Sequence, residues 1–251
     1  MRVQKTNWGG LSSVVVDDLA ADHSPSLAVV LCHGYGAPAT DLASLAEAIL
    51  SDPGIARETL LIFPAAPIDL TPRGLQGGRA WWHIDLDRLL NRPTPQILQQ
   101  FRQACPTGLR ESREMLVALL AELETQFGLA PARTILGGFS QGAMLATDVA
   151  LRLPRTPAAL CVLSGALMNE TEWASLVAQR AGLKVLQTHG LYDSILPLPM
   201  ATPLRDLLQN ARCEVDFVSF PGDHGIPEVV IDRIIRLIAD VLTKAGDIRP
   251  A

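Results

Sequence analysis

Five residues near the middle of the chain, Gly138-Phe-Ser140-Gln-Gly142, have the types and spacing for acyl-transfer chemistry. They follow the apolar run Thr134-Ile-Leu and lead without a break into a helix-patterned stretch, the strand–turn–helix setting that a G-x-S-x-G serine nucleophile requires. A serine on so tight a turn has strained backbone, and side chains two positions to either side would collide with the neighbouring strand and helix, hence glycine at both places. The turn raises the hydroxyl beyond the C-terminal end of the strand, where the free N–H groups of the helix stabilise developing negative charge. Close strand–helix packing alone would also call for glycines; placement between strand and helix favours catalysis.

A serine hydroxyl is a poor nucleophile at neutral pH and needs an imidazole to take its proton and a carboxylate to fix the tautomer of that imidazole. Leu183-Lys-Val-Leu-Gln-Thr-His-Gly-Leu-Tyr-Asp193 delivers an acid just after one strand pattern, and Phe217-Val-Ser-Phe-Pro-Gly-Asp-His224 delivers a histidine just after another. The order Ser140, Asp193, His224 matches a strand–turn–helix nucleophile followed by its acid and base. Of the other four histidines, His23 lies in a polar stretch, His33 precedes a glycine turn, His83 follows two tryptophans and His189 ends the strand that delivers Asp193. Asp223 adjoins His224, but adjacent residues rarely bring their side chains into the required contact, and Asp148 is expected on a helix surface two turns beyond Ser140.

Acyl transfer also needs a second backbone N–H close to the nucleophile. The strand Leu27-Ala-Val-Val-Leu-Cys32 runs into His33-Gly34-Tyr35-Gly36, whose glycines let the backbone approach. The expected donors are the N–H groups of Tyr35 and Gln141, and removing one such donor costs on the order of 3 kcal/mol of transition-state stabilisation. A plain strand-to-helix turn is the bland alternative.

The elements that must hold these groups alternate between short β-rich runs and longer helical patterns, which predicts an α/β fold, a mostly parallel central sheet with helices on both faces. Strands are expected at Leu11–Asp17, Leu27–Cys32, Leu60–Phe63, Thr134–Gly138, Leu160–Ser164, Leu183–Thr188 and Glu214–Phe220, and helices at Asp41–Leu50, Ser112–Phe127, Gln141–Leu153 and Pro227–Lys244. The run from Pro64 to Gly108, rich in Pro, Gly and Arg, has no clean period and is expected to form a rim or lid over a site. At 251 residues a single domain over 1–251 is expected.

With 48% hydrophobic and 19% charged residues the chain has the composition of a folded globular protein. A net charge of -5 argues against a nucleic-acid partner. The four cysteines lack metal-ligand spacing, and Cys32 and Cys161 sit in strand patterns, as core thiols do. The N-terminus shows no apolar signal core and no segment is apolar enough to span a bilayer, so a cytoplasmic location is expected.

From Leu27 onward the sequence resembles the phospholipase/carboxylesterase family of α/β-hydrolases, which includes acyl-protein thioesterases and small bacterial carboxylesterases. The resemblance rests on His33-Gly-Tyr-Gly-Ala-Pro-Ala-Thr-Asp41, Arg79-Ala-Trp-Trp82, Gly138-Phe-Ser-Gln-Gly142, His189-Gly-Leu-Tyr-Asp193 with Leu196-Pro197, and Phe220-Pro-Gly-Asp-His224. It implies an α/β-hydrolase fold, catalytic roles for Ser140, Asp193 and His224, oxyanion N–H groups from Tyr35 and Gln141, an acyl-pocket rim lined by Trp81 and Trp82, and an occasional homodimer. The pattern departs in having Tyr35 where leucine is usual, His83 where aspartate commonly follows the aromatic pair, and Gly142 alone where two glycines are common. The stretch Gly225-Ile-Pro-Glu228 is also shorter than the usual run to the last helix.

The expected activity is hydrolysis of a carboxylic ester or thioester, from a small molecule or an acylated carrier, through an acyl-enzyme on Ser140 and without metal or organic cofactor. Apolar residues near the expected site, Trp81, Trp82, Leu167, Met168, Ile195, Leu196 and Leu198, suggest an acyl group of modest length. The competing readings are a silent binding or scaffold protein on this fold and a peptidase or acyltransferase.

Overall fold

A computed structural model of the chain describes residues 1–84 and 94–246. Its centre is an eight-stranded sheet with strands β1 (Arg2–Trp8), β2 (Leu11–Asp17), β3 (Leu27–Cys32), β4 (Thr59–Pro64), β7 (Thr134–Phe139), β8 (Ala159–Leu163), β9 (Lys184–Gly190) and β10 (Glu214–Phe220). They lie in the order β1-β2-β4-β3-β7-β8-β9-β10. β1 runs antiparallel to β2 and β2 antiparallel to β4; the rest is parallel. All seven expected strands are present to within two residues at each end. β1 was not legible because its residues RVQKTNW are mostly exposed at the sheet edge, where backbone pairing from Arg2↔Asp17 to Trp8↔Leu11 forms a strand without an apolar face.

Both faces of the sheet are covered, which is why β3 is buried at all six positions and reads as one continuous apolar run. Alternate side chains feed two apolar clusters: Ala28, Val30 and Cys32 join one, Leu27, Val29 and Leu31 the other. The first is covered by α4 (Leu109–Phe127), α5 (Gln141–Arg152), α6 (Glu170–Val177) and α7 (Leu198–Asn210), the second by α1 (Leu45–Ile49), α2 (Pro53–Ala56) and α8 (Glu228–Gly246). The expected helix at Asp41–Leu50 is a 3-10 turn, Leu42–Ser44, followed by α1. α6 and α7 escaped the sequence reading; α7 contains Pro203, which looks like a helix breaker in sequence.

β3 is flanked by β4 on one side and β7 on the other, so the connection after β3 and the one from β4 to β7 run in opposite directions and a crevice opens beyond the strand ends at that point. Part of the 64–108 segment crosses here as a short antiparallel hairpin, β5 (Ile68–Asp69) with β6 (Arg79–Ala80), and α3 (Pro95–Gln103) follows. Residues 85–93 of that segment lie outside the described residues.

α5, which begins immediately after Ser140, is fixed at both ends and along its flank. Every residue from Gln141 to Leu151 is buried. The guanidinium of Arg180 donates to the carbonyls of Ala150 (2.9 Å), Leu151 (3.1 Å) and Leu153 at its C-terminus, where a cation also suits the helix dipole. Asp148 is therefore not on a helix surface as its position in the sequence suggested. Its side chain has no exposure and takes the Trp173 indole N–H at 2.8 Å and the guanidinium groups of Arg113 and Arg152, because α4 and α6 close over that face of α5.

Candidate active site

The sequence from β7 to α5 forces one residue into backbone geometry that only a tight turn produces. Ser140 has φ 54° and ψ -116°, a left-handed conformation that costs a non-glycine residue on the order of 1–3 kcal/mol. The Ser140 N–H is anchored on the Leu163 carbonyl of the next strand at 2.8 Å. The turn approaches β3 so closely that a Cβ on Gly142 would lie 2.6 Å from the His33 carbonyl oxygen and nearer still to the Cys32 carbonyl. Gln141 is the first residue of α5, where main-chain N–H groups have no partner within the helix.

The loop after β3 rests against this elbow. A Cβ on Gly34 would fall 3.4 Å from Ser140 Cβ and 3.2 Å from the Phe139 ring, so glycine sets the approach of Tyr35 to the serine. The loop is laced to the hairpin by Gly36 N–H to Arg79 O (2.8 Å) and Arg79 N–H to Ala37 O (3.1 Å). Arg79 in turn donates from its side chain to the carbonyls of Ala66 and Pro67. His33 completes the frame: Nε2 accepts the Ala66 N–H at 3.0 Å, so Nδ1 carries the proton and donates to Gly34 O at 2.8 Å.

Trp81 and Trp82, expected on the rim of the acyl pocket, are buried beneath it. Trp81 donates its indole N–H to His33 O (2.9 Å) and its main-chain N–H to Gln141 Oε1 (3.0 Å), while Gln141 Nε2 donates to Trp82 O (2.8 Å). The Ser112 hydroxyl closes the network on Trp81 O at 2.6 Å. The pair thus ties the Tyr35 loop to the head of α5, a part the sequence could not reveal because residues 33, 81 and 141 meet only in the folded chain. Leu167 and Met168 are likewise core residues, packed with Met200 of α7.

β9 and β10 run in parallel register, His189 beside Ser219 and Gly190 beside Phe220, so the turns after them emerge side by side. A Cβ on Gly190 would lie 2.6 Å from the Gly222 carbonyl. Asp193 Oδ1 accepts the N–H groups of Ile195 (3.0 Å) and Leu196 (2.8 Å), and its Oδ2 accepts Nδ1–H of His224 at 2.7 Å. With Nδ1 protonated, His224 Nε2 has a free lone pair. Asp223 does not compete for the imidazole: its carboxylate takes the N–H groups of Ser194 and His224, which hold it below the usual carboxylate range, and the Ser194 hydroxyl. The Phe139 ring packs on His224 at 4.7 Å between centroids.

Ser140, His224, Gly34 and Tyr35 border one cleft of about 150 Å³, whose apolar wall is formed by Ile84, Phe101, Phe139, Met144, Ile195 and Leu196. Leu196 was expected there; Phe101 and Met144 were not, since they face the cleft only through the docking of α3 and α5. Among the described residues no group of three or more His, Cys, Asp or Glu is placed to hold a metal ion, and no helix is long and apolar enough to cross a membrane. The four cysteines are free, and burial pushes the Cys161 thiol up to about 12, which leaves it inert as a nucleophile at neutral pH.

Burial pushes both His33 and His189 below the ordinary imidazole range. The folded chain therefore binds fewer protons than the unfolded one just below pH 6.5, and stability must fall as pH drops through the window between the folded and unfolded values. Each histidine contributes a slope of up to about 1.4 kcal/mol per pH unit there. Urea midpoints are expected to decrease from pH 7 to pH 5; a flat profile would show that the two rings take up protons in the folded state.

A sheet with a switch point at β3, a strained serine elbow and an Asp-paired histidine at one cleft define the class: this is an enzyme, a hydrolase of the α/β-hydrolase fold. A family model described as phospholipase/carboxylesterase matches residues 16–242, and the chain belongs to that family. An acyl-protein thioesterase 1 from Eremothecium gossypii is 28% identical over 181 residues, covering 71% of this chain and 72% of that protein. The solved structure of esterase PE8 is 28% identical, covers 92% of this chain and 99% of its own, and superposes with a TM-score of 0.77. That of a carboxylesterase from Mesorhizobium loti, at 19% identity, has the same fold with a TM-score of 0.69 over 94% of this chain and 98% of its own.

Proposed function

We propose that the protein hydrolyses carboxylic esters or thioesters with acyl groups of modest length through an acyl-enzyme on Ser140. The observation that carries this reading is the 2.7 Å bond from His224 Nδ1 to Asp193 beside the cleft that Ser140 borders. His224 Nε2 takes the Ser140 proton as the oxygen bonds to the substrate carbonyl carbon, and returns it to the departing alcohol or thiol. Water then enters with His224 as base and releases the acid. The N–H groups of Tyr35 and Gln141 hold the carbonyl oxygen while it is anionic. Leu196, with Ile84, Phe101 and Met144, receives the acyl chain, whereas Trp81 and Trp82 act through Gln141. The names of relatives, a thioesterase among them, support both leaving-group classes. The protein works as one domain in the cytoplasm on a small-molecule or acylated carrier, not on nucleic acid.

A cavity near 150 Å³ accommodates about six heavy atoms, the size of a benzene molecule. Turnover of p-nitrophenyl esters is therefore expected to rise up to about four to six acyl carbons and to gain no more than about twofold from there to twelve, where carbons outside the wall make no contact. Ester turnover should exceed that of the matching anilide. A gain of more than about twofold between six carbons and twelve would reject the size of the cleft as the selector, and faster anilide cleavage would point to a peptidase.

A further inference from the structure

The carboxylate of Asp193 faces a second imidazole. His189, the last residue but one of β9, is fully buried, with Nε2 2.6 Å from the Leu196 carbonyl oxygen and 3.3 Å from Asp193 Oδ2, the same oxygen that accepts Nδ1–H of His224. Both neighbours of Nε2 are acceptors, so Nε2 carries the proton. Its Nδ1 is buried with no hydrogen-bond partner among the described residues, so a second proton there would stand as an unsolvated charge. The ring is thus a fixed neutral donor. It is also joined to Asp193 through Leu196, whose carbonyl it binds and whose N–H goes to Asp193 Oδ1. The remaining titratable groups around it are His224 and Asp223 from the turn after β10, and Asp223 is committed to Ser194 and to the main chain of His224.

We propose that His189 is a positioning residue of this site, whose Nε2–H clamps the turn from Asp193 to Leu196 and draws off part of the charge that Asp193 Oδ2 presents to His224. The inference rests on the assignment of Asp193 and His224 given above. Its consequence is a base kept less basic than an unassisted aspartate would make it. An imidazolium at His224 is stabilised by negative charge on Oδ2, and the positive end of the His189 Nε2–H dipole, bonded to Leu196 O and 3.3 Å from that oxygen, offsets part of that charge and so lowers the fraction of His224 already protonated, and unreactive, in mild acid.

The test compares His189→Phe, which keeps a ring and removes the donor, with His189→Gln, whose side-chain N–H can stand near the position of Nε2. In His189→Phe the acid limb of kcat/KM with p-nitrophenyl butyrate, and the titration of His224 followed by ¹⁵N–¹H NMR, are expected to move together to higher pH by about half to one unit. At a pH below the limb that lowers the rate, relative to the plateau of the same protein, by roughly three- to tenfold. His189→Gln should bring both back toward the wild-type position, which a purely structural role would not require. A folded His189→Phe protein whose His224 titrates as in wild type overturns the proposal. Should His189→Phe not fold, the wild-type spectrum decides: His189 must appear as the neutral Nε2–H form from pH 5 to pH 8, and an Nδ1–H form or a titration in that range overturns it. Failure of the underlying assignment has a different signature, an acid limb in the wild type that does not coincide with the His224 titration.

Discussion

Ser140→Ala is expected to lower kcat/KM for short-chain p-nitrophenyl esters by at least about 10⁴-fold and to abolish labelling by a fluorophosphonate, with little change in the urea midpoint. On the proposed mechanism the residual rate would come from the N–H groups of Tyr35 and Gln141, which would still polarise the carbonyl with no nucleophile to pair with it. Alanine retains the Cβ and with it the strain of φ 54°, so stability stays near wild type. Ser140→Gly should be equally inactive yet more stable by about 1 kcal/mol, since glycine occupies that region freely. The pair of variants separates chemistry from backbone strain at one position. Retained labelling in Ser140→Ala would place the nucleophile elsewhere, and equal stability of the two variants would mean that the elbow stores no strain.

Gly142→Ala is expected to be the most damaging substitution of a residue that takes no direct part in the reaction. Its Cβ would enter the main chain at the end of β3, against the carbonyls of Cys32 and His33, and neither can rotate away as a side chain would. The head of α5 must then lift from β3, carrying Ser140 and the Gln141 N–H away from the Tyr35 loop. Overpacking of this kind costs about 3 kcal/mol, and a displacement near 1 Å can cost about 100-fold in rate. Urea unfolding together with burst titration of active sites would measure both losses. Wild-type turnover in this variant would show that the close contact of α5 with β3 is not what aligns the proposed oxyanion N–H groups of Tyr35 and Gln141.

The neighbouring position shows how local rules and tertiary context divide the work. Ala143 follows Gly142 in the first turn of α5. Its methyl fits because the residue across from it is Gly165, where a Cβ would come within 2.9 Å of the Ala143 Cβ. Nothing in the segment Gly138–Ala143 announces that compensation, since Gly165 belongs to the turn after the next strand.

The sequence by itself determined the alternation of strands and helices, because strands covered on both faces must be apolar throughout and amphipathic helices must carry a stripe. It also determined the order of serine, acid and histidine at strand ends, because an elbow needs its glycines and the turns beyond parallel strands open on one edge of the sheet. Tertiary structure alone decided that Trp81 and Trp82 brace Gln141 from below, that Asp148 is sealed between two arginines and a tryptophan, and that Phe101 and Met144 wall the cleft. An apolar or charged side chain has the same local signature whether it lines a cavity, fills a core or faces water. Which of these it does depends on partners tens of residues away, brought near only when the sheet and its two helical layers have packed.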